Sequence, residues 1–208
     1  RMAARQARQL AESGYAVLLI DLLGCGDSSG DFGDASWSAW KGDVLLAYRW
    51  LRQQTAAPLT LWGLRAGCLL AVEAAVDLPE SPNFIFWQPV LSGKQHWQQF
   101  MRLKMAGELA SGQAKGITEQ LRKNLTAGRA VEIAGYTVSA ELVNGLETAE
   151  LSPLATDVDV ISTQVELQFP LNPQEPKLAW IELSTRDNAT LAPISQKRME
   201  QWQGAGYR

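Results

Sequence analysis

The sequence predicts a single α/β domain built on a mostly parallel, doubly wound sheet that carries a helical insertion. Three observations predict it. Strand-like and helix-like patterns alternate over the first ninety residues. The segment LTLWGLRAGCLL, residues 59 to 70, runs from an apolar strand through a glycine-flanked turn straight into a helix. KLAWIEL, Lys177 to Leu183, then resumes a strand pattern after a long interruption. Strand, helix, strand, helix, strand in that order favours right-handed crossovers and parallel pairing. With 208 residues, 46% of them apolar, the chain is long enough for one well-buried domain and short for two.

Taken in order, Arg1 to Ser13 places Ala3, Ala7, Leu10 and Ala11 on one helical face, and Gly14 suits a left-handed C-terminal cap. YAVLLID, Tyr15 to Asp21, is the compact leucine-rich and β-branched run expected of a strand buried on both faces of a parallel sheet. A glycine-rich loop from Gly24 to Gly33 leads to a helix capped near Asp34 or Ser36, with Trp37, Trp40, Val44, Ala47, Tyr48 and Leu51 on one face. Pro58 introduces the strand LTLWG, Ala66 to Val76 forms the next helix, and NFIFWQ, Asn83 to Gln88, is a third buried strand. Residues 94–150 carry helical patterns (Trp97, Phe100, Met101, Met105; Ile117, Leu121, Leu125; Leu142, Leu146) around VEIAGYTVS, a short hairpin candidate. This segment reads as a helical lid inserted over a core made of residues 1–93 and 177–208. Residues 151–176 hold Pro153, Pro170, Pro173 and Pro176 and read as an irregular connection with one weak strand around Gln164 to Phe169. Pro193 to Gln203 reads as a helix, and Gly204-Ala205-Gly206-Tyr207 repeats the cap and strand entry of Ser13-Gly14-Tyr15. A further strand is therefore expected beyond Arg208, and others ahead of Arg1.

Composition narrows the function. A formal net charge of -3 with no polybasic run leaves no footprint for nucleic acid or an anionic membrane surface. No apolar run approaches the ~20 residues that span a bilayer, and no secretory leader opens the chain, so a cytoplasmic protein without membrane insertion is expected. Cys25 and Cys68 lie outside any C-x-x-C or Cys/His cluster and read as thiols of a reducing compartment. Neither a metal nor an organic cofactor is expected.

The chemistry centres on Gly63-Leu64-Arg65-Ala66-Gly67. A strand before Gly63 and a helix after Ala66 give the layout of a nucleophile elbow, G-x-S-x-G, with Arg65 in place of the serine; the competing reading is an ordinary strand-helix turn whose glycines ease packing. A literal G-x-S-x-G, Gly26-Asp27-Ser28-Ser29-Gly30, lacks that context, because no strand-turn-helix clamps Ser28. Arg65 stays protonated and is no nucleophile, so acyl-enzyme chemistry cannot start there. At the C-terminal edge of a parallel sheet and at a helix N-terminus, it would instead hold a carboxylate, phosphate or sulfate. The helix dipole disfavours a cation at that position by roughly 0.3 to 1 kcal/mol unless something negative faces it.

The string Asp21-Leu22-Leu23-Gly24-Cys25-Gly26-Asp27-Ser28 resembles the D-x-x-G-x-G-x-S loop that follows an early strand in many α/β-hydrolases. With LWGLRAG after it, the chain resembles the α/β-hydrolase superfamily. DLLGCGDSSGDF, LWGLRAG, FWQPVLSG and VEIAGY carry a closer resemblance to the bacterial proteins named exosortase A system-associated hydrolase 2, found beside exopolysaccharide loci. That resemblance implies an α/β-hydrolase fold, places Asp187, in Thr185-Arg186-Asp187, at the position of the triad acid, and makes Gly24 to Gly33 a loop at the site's mouth. The triad order of serine, acid, histidine is broken, since Arg65 replaces the serine and the single histidine, His96, precedes Asp187. Arg65 then pairs with Asp187, or with Asp21, as a strut, or it anchors a ligand. Trp87 and Gln88 close the strand after the elbow helix and either line the ligand crevice or pack. Cys68 reads as an inert thiol or a displaced nucleophile, His96 as a residue of the insertion without special role, and Met101 with Met105 as helix packing. The expected function is non-catalytic binding of an acidic or acylated small molecule or a protein partner of the exopolysaccharide system. The alternatives are a hydrolase working through Cys68 or Asp187, and a scaffold using the insertion as an interface.

Overall fold

A computed structural model describes residues 2–109, 116–154, 176–185 and 190–208. Among the described residues, seven α-helices accompany a small, wholly parallel sheet. They are α1 (Met2–Glu12), α2 (Trp37–Gln54), α3 (Gly67–Ala75), α4 (Gly93–Leu109), α5 (Ile117–Thr126), α6 (Ala140–Thr148) and α7 (Pro193–Gly204). The sheet has the order β1 (Thr60–Leu64), β2 (Asn83–Trp87), β5 (Leu178–Ile181), and a separate hairpin joins β3 (Val131–Ile133) to β4 (Tyr136–Val138). Gly63 lies opposite Phe86, and Phe86 opposite Trp180, so the ends of all three strands converge on one edge. The expected weak strand at Gln164 to Phe169 lies outside the described residues.

Local chemistry accounts for most boundaries. The Ser36 hydroxyl accepts the Ala39 N–H at 3.1 Å and caps α2, while Asp34 closes a 3-10 turn just before it. Ser139 caps α6 in the same way through Leu142. Both terminal helices end in the Schellman pattern: Tyr15 donates to Leu10 and Gly14 to Ala11, as Tyr207 donates to Trp202 and Gly206 to Gln203. The hairpin turns on Ala134 and Gly135, both with positive φ, the two-residue geometry that matches strand twist. After α7 the chain re-enters the sheet beside β5, with Arg208 donating to Pro176 and accepting from Leu178.

The run Tyr15 to Asp21 departs from expectation. It forms no strand among the described residues, and it is open to solvent, with Tyr15 64% and Leu19 58% exposed. Apolar composition sets the preference for a buried strand, but a ladder needs a neighbouring strand, and none of the described ones lies alongside.

The core lies on the Phe84/Phe86 face of β2. Trp202 of α7 meets both rings edge-on at 5.2 Å, Tyr207 closes on Trp202 at 4.9 Å, and Trp202 is fully buried. Segment 94–150 joins the same core through Trp97, Val131, Ile133, Leu142 and Val143. It is locked to its neighbours by close approach: a side chain on Gly145 would collide with Trp37 of α2, and one on Gly93 with the Leu146 carbonyl.

The strand-to-helix turn is another close crossing. A Cβ on Gly63 would sit 2.5 Å from the backbone of Cys68, whereas one on Gly67 would meet nothing within 4 Å. Only the first glycine of the pair is required by packing. Gly63→Ala is therefore expected to lower stability in urea unfolding by about 1 to 3 kcal/mol through overpacking. Gly67→Ala should be neutral or gain up to about 1 kcal/mol by restricting the unfolded chain.

Candidate functional site

Arg65 is where the turn places its strain. Its φ is +54°, in the left-handed region that costs a residue with a side chain roughly 1 to 2 kcal/mol. Three backbone bonds hold it there: its N–H donates to the Trp87 carbonyl at 3.0 Å, and its carbonyl accepts from Cys68 at 3.1 Å and from Val90 at 3.4 Å. At about 1 kcal/mol net each, these bonds offset the strain. The backbone, not the guanidinium, fixes the turn, and the side chain is exposed at the sheet edge.

There it borders a cavity of about 330 Å³. Arg65 comes from the β1–α3 turn, Gln88 from the end of β2, Gln95, His96 and Gln99 from α4, and Glu182 from just past β5. Gln88 also has a positive φ, +48°. Its N–H donates to Ile181 at 2.6 Å, and its side-chain oxygen accepts the Leu183 N–H at 2.8 Å, tying β2 to the chain beyond β5. Glu182 accepts from the Trp180 indole at 2.9 Å. Among the described residues, no carboxylate stands within ion-pair distance of the Arg65 guanidinium. Asp187, the other half of the expected strut, lies outside the described residues.

Two candidates are placed elsewhere. Trp87 stacks on Trp62 at 5.6 Å with planes 7° apart, and it does not line the cavity, because strand alternation turns it to the face opposite Phe86. Asp21 is consumed by its own loop. Its carboxylate accepts the Asp27 N–H at 3.0 Å and fills the space a side chain on Gly26, at φ +55°, would need. That loop is pinned to α2, since Leu23 donates to Asp43 and accepts from Trp40. It also meets the hairpin, where Phe32 touches the Tyr136 ring at 5.7 Å. Asp21 therefore shapes the loop and contributes nothing to the cavity.

Cys68 is fully buried in the first turn of α3, and burial pushes its thiol up to about 12, so no thiolate exists near neutrality. Ser28 is held within its loop, its N–H donating to Cys25, and is not among the cavity residues. Met101 packs against the core.

His96 is the residue that sequence reasoning passed over. It lines the cavity with Arg65, and its Nδ1 is shut away from solvent with no hydrogen-bond partner among the described residues. Burial, and then the positive charge of Arg65, hold its imidazole below the ordinary 6.5. A usable signal was present: in a parallel sheet the segments leaving two adjacent strands share one edge, and His96 sits in the first turn of the helix that follows β2.

Compared with known proteins, the chain matches no family model, and no curated protein is significantly similar to it. Among the described residues, no helix is long and apolar enough to cross a membrane.

Two outcomes follow from these environments. The Cys68 thiol should remain unmodified by a disulfide reagent near pH 8 in the folded protein and react once the chain is unfolded in denaturant, which a timed thiol titration measures. For His96 the folded protein binds its proton less readily than the unfolded chain does. Its contribution to stability is thus present above 6.5 and lost as pH falls through the depressed value. Urea midpoints taken downward from neutral pH should fall more steeply for the native protein than for His96→Gln.

Proposed function

We propose that this chain is an α/β-hydrolase-like protein, similar to the exosortase A system-associated hydrolase 2 proteins, that binds a small anionic ligand at Arg65 and does not hydrolyse it. The observation that carries the reading is the guanidinium itself. A strained turn holds it at the edge of a parallel sheet, beside an open polar cavity and without a described carboxylate in ion-pair range. The N-terminus of α3 adds a partial positive charge that an anion relieves. In this reading segment 94–150 is the lid, supplying one cavity wall through α4, and Asp187 occupies the former acid position. The exopolysaccharide setting implied by the resemblance would supply the ligand or a protein partner. The buried, protonated Cys68 disfavours the thiol route to hydrolysis.

Binding and turnover test it together. Short-chain p-nitrophenyl esters should be cleaved no faster by the native protein than by Arg65→Ala; rapid turnover that disappears in the variant would overturn the reading. In calorimetric titration with simple carboxylates and phosphate, Arg65→Ala should weaken binding about 10- to 100-fold. That corresponds to the ~1.5 to 3 kcal/mol of a hydrogen bond to a charged group.

A further inference from the structure

We propose that His96 is the specificity-determining partner of Arg65, a neutral Nε2–H donor that makes the cavity select a small monocarboxylate over a phosphate or sulfate dianion. The inference rests on the anion-binding reading of Arg65 and adds the class of anion and the group that chooses it.

Three features of the cavity lead there. The first is the ring's orientation. Nδ1 of His96 is sealed from water and has no partner among the described residues, so a proton on that nitrogen would be an orphaned donor. A buried lone pair is tolerated better than a buried N–H without an acceptor, which places the single proton of the neutral ring on Nε2. The second is charge. An imidazolium would need protons on both nitrogens, one of them in the sealed position, and it would stand beside a guanidinium. Burial and Arg65 both act against it. The third is the charge count around the cavity. Among the described lining residues Arg65 is the one cation and Glu182 the one carboxylate, and besides His96 the other polar contributors, Gln88, Ser92, Gln95, Gln99 and Ser195, are uncharged.

A carboxylate brings one negative charge, which Arg65 neutralises, and two acceptor oxygens. One fits the guanidinium and the other a neutral N–H, so no further cation is required. A dianion brings a second charge into a partly desolvated space that already holds Glu182, with no described cation to meet it, and is disfavoured by that repulsion. Among the described residues, the charged groups that share the cavity with His96 from other elements are Arg65, at the β1–α3 turn, and Glu182, beyond β5; on α4 itself Lys94 lies two residues away.

The chain has a single histidine, so the ring nitrogens of the 15N-labelled full chain give unambiguous resonances. Propionate is titrated over about pH 6.5 to 8, where an ordinary imidazole changes charge and a depressed one stays neutral, and inorganic phosphate is compared with it at about pH 8, where it is chiefly the dianion. The expected spectrum is a neutral ring protonated at Nε2, whose Nε2 resonance moves with propionate while the ring remains neutral. Propionate should bind about tenfold or more tightly than phosphate, with little pH dependence, a preference of about 1.4 kcal/mol. His96→Gln keeps an N–H donor and should stay within about threefold of the native affinity, whereas His96→Phe should lose about tenfold, the range of one neutral hydrogen bond. An Nδ1–H tautomer, an imidazolium on binding, or phosphate bound as tightly as propionate would overturn the assignment to His96. Loss of propionate binding in Arg65→Ala with native affinity in His96→Phe would overturn it while leaving the Arg65 reading intact. Failure of either anion to perturb the protein would overturn both.

Discussion

The contact between Gly63 and the backbone of Cys68 sets the terms for everything at the sheet edge. A side chain at Gly63 would stand 2.5 Å from that backbone, so β1 and the first turn of α3 approach as closely as a bare Cα allows. The chain has only Arg65 and Ala66 in which to reverse from strand to helix, and Arg65 takes the left-handed conformation. Its carbonyl then points back to receive Cys68 and Val90, and its N–H extends the β1–β2 ladder by one bond to Trp87. The same approach that exposes the guanidinium buries the thiol three residues later. A single steric fact therefore decides which of the two reactive-looking side chains meets solvent.

Around that turn the cavity is assembled from residues far apart in sequence. Gln88 performs the joining, with backbone bonded to Ile181 at the end of β5 and side chain to Leu183 two residues on. Glu182 lies within that stretch, so its position beside Arg65 follows from pairing between β2 and β5 rather than from any direct attraction. His96 arrives by a different route, on a helix whose first residue is pressed against the Leu146 carbonyl. Among the described residues the result is a site with one exposed cation, an imidazole whose pKa its surroundings lower, and glutamine amides lining the same cavity.

Much of this was legible in the sequence where the determinant is local. Ser36 as a cap, Gly14 and Gly206 as helix ends, the Ala134-Gly135 hairpin and the strand-turn-helix at Arg65 all depend on residues within one or two turns of each other. The strands LTLWG and NFIFWQ were visible for the same reason. Reading failed where the answer depends on what stands opposite. Tyr15 to Asp21 has the composition of a buried strand, yet composition does not provide a neighbour. Trp87 and Gln88 are adjacent, and the alternation of a strand sends them to different destinations, one to a stack with Trp62 and the other to the cavity. Asp21 looked available because its partner, the Asp27 N–H, is made acceptable only by the turn at Gly26. His96 could be read only by joining two facts, the parallel pairing of LTLWG with NFIFWQ and the start of a helix just after NFIFWQ, which no single motif carries.

The two glycine contacts of α6 and α4 have a mechanical implication. Gly145 abuts Trp37 of α2, and the next residue, Leu146, presents its carbonyl to Gly93, where α4 begins. With no slack at either contact, α6 acts as a spacer of fixed thickness between α2 and α4, and His96 lies three residues along the helix it supports. Displacement of Trp37 would thus be transmitted through α6 to the imidazole, so the width of the cavity beside Arg65 is gauged by a packing contact on a helix that contributes no residue to it.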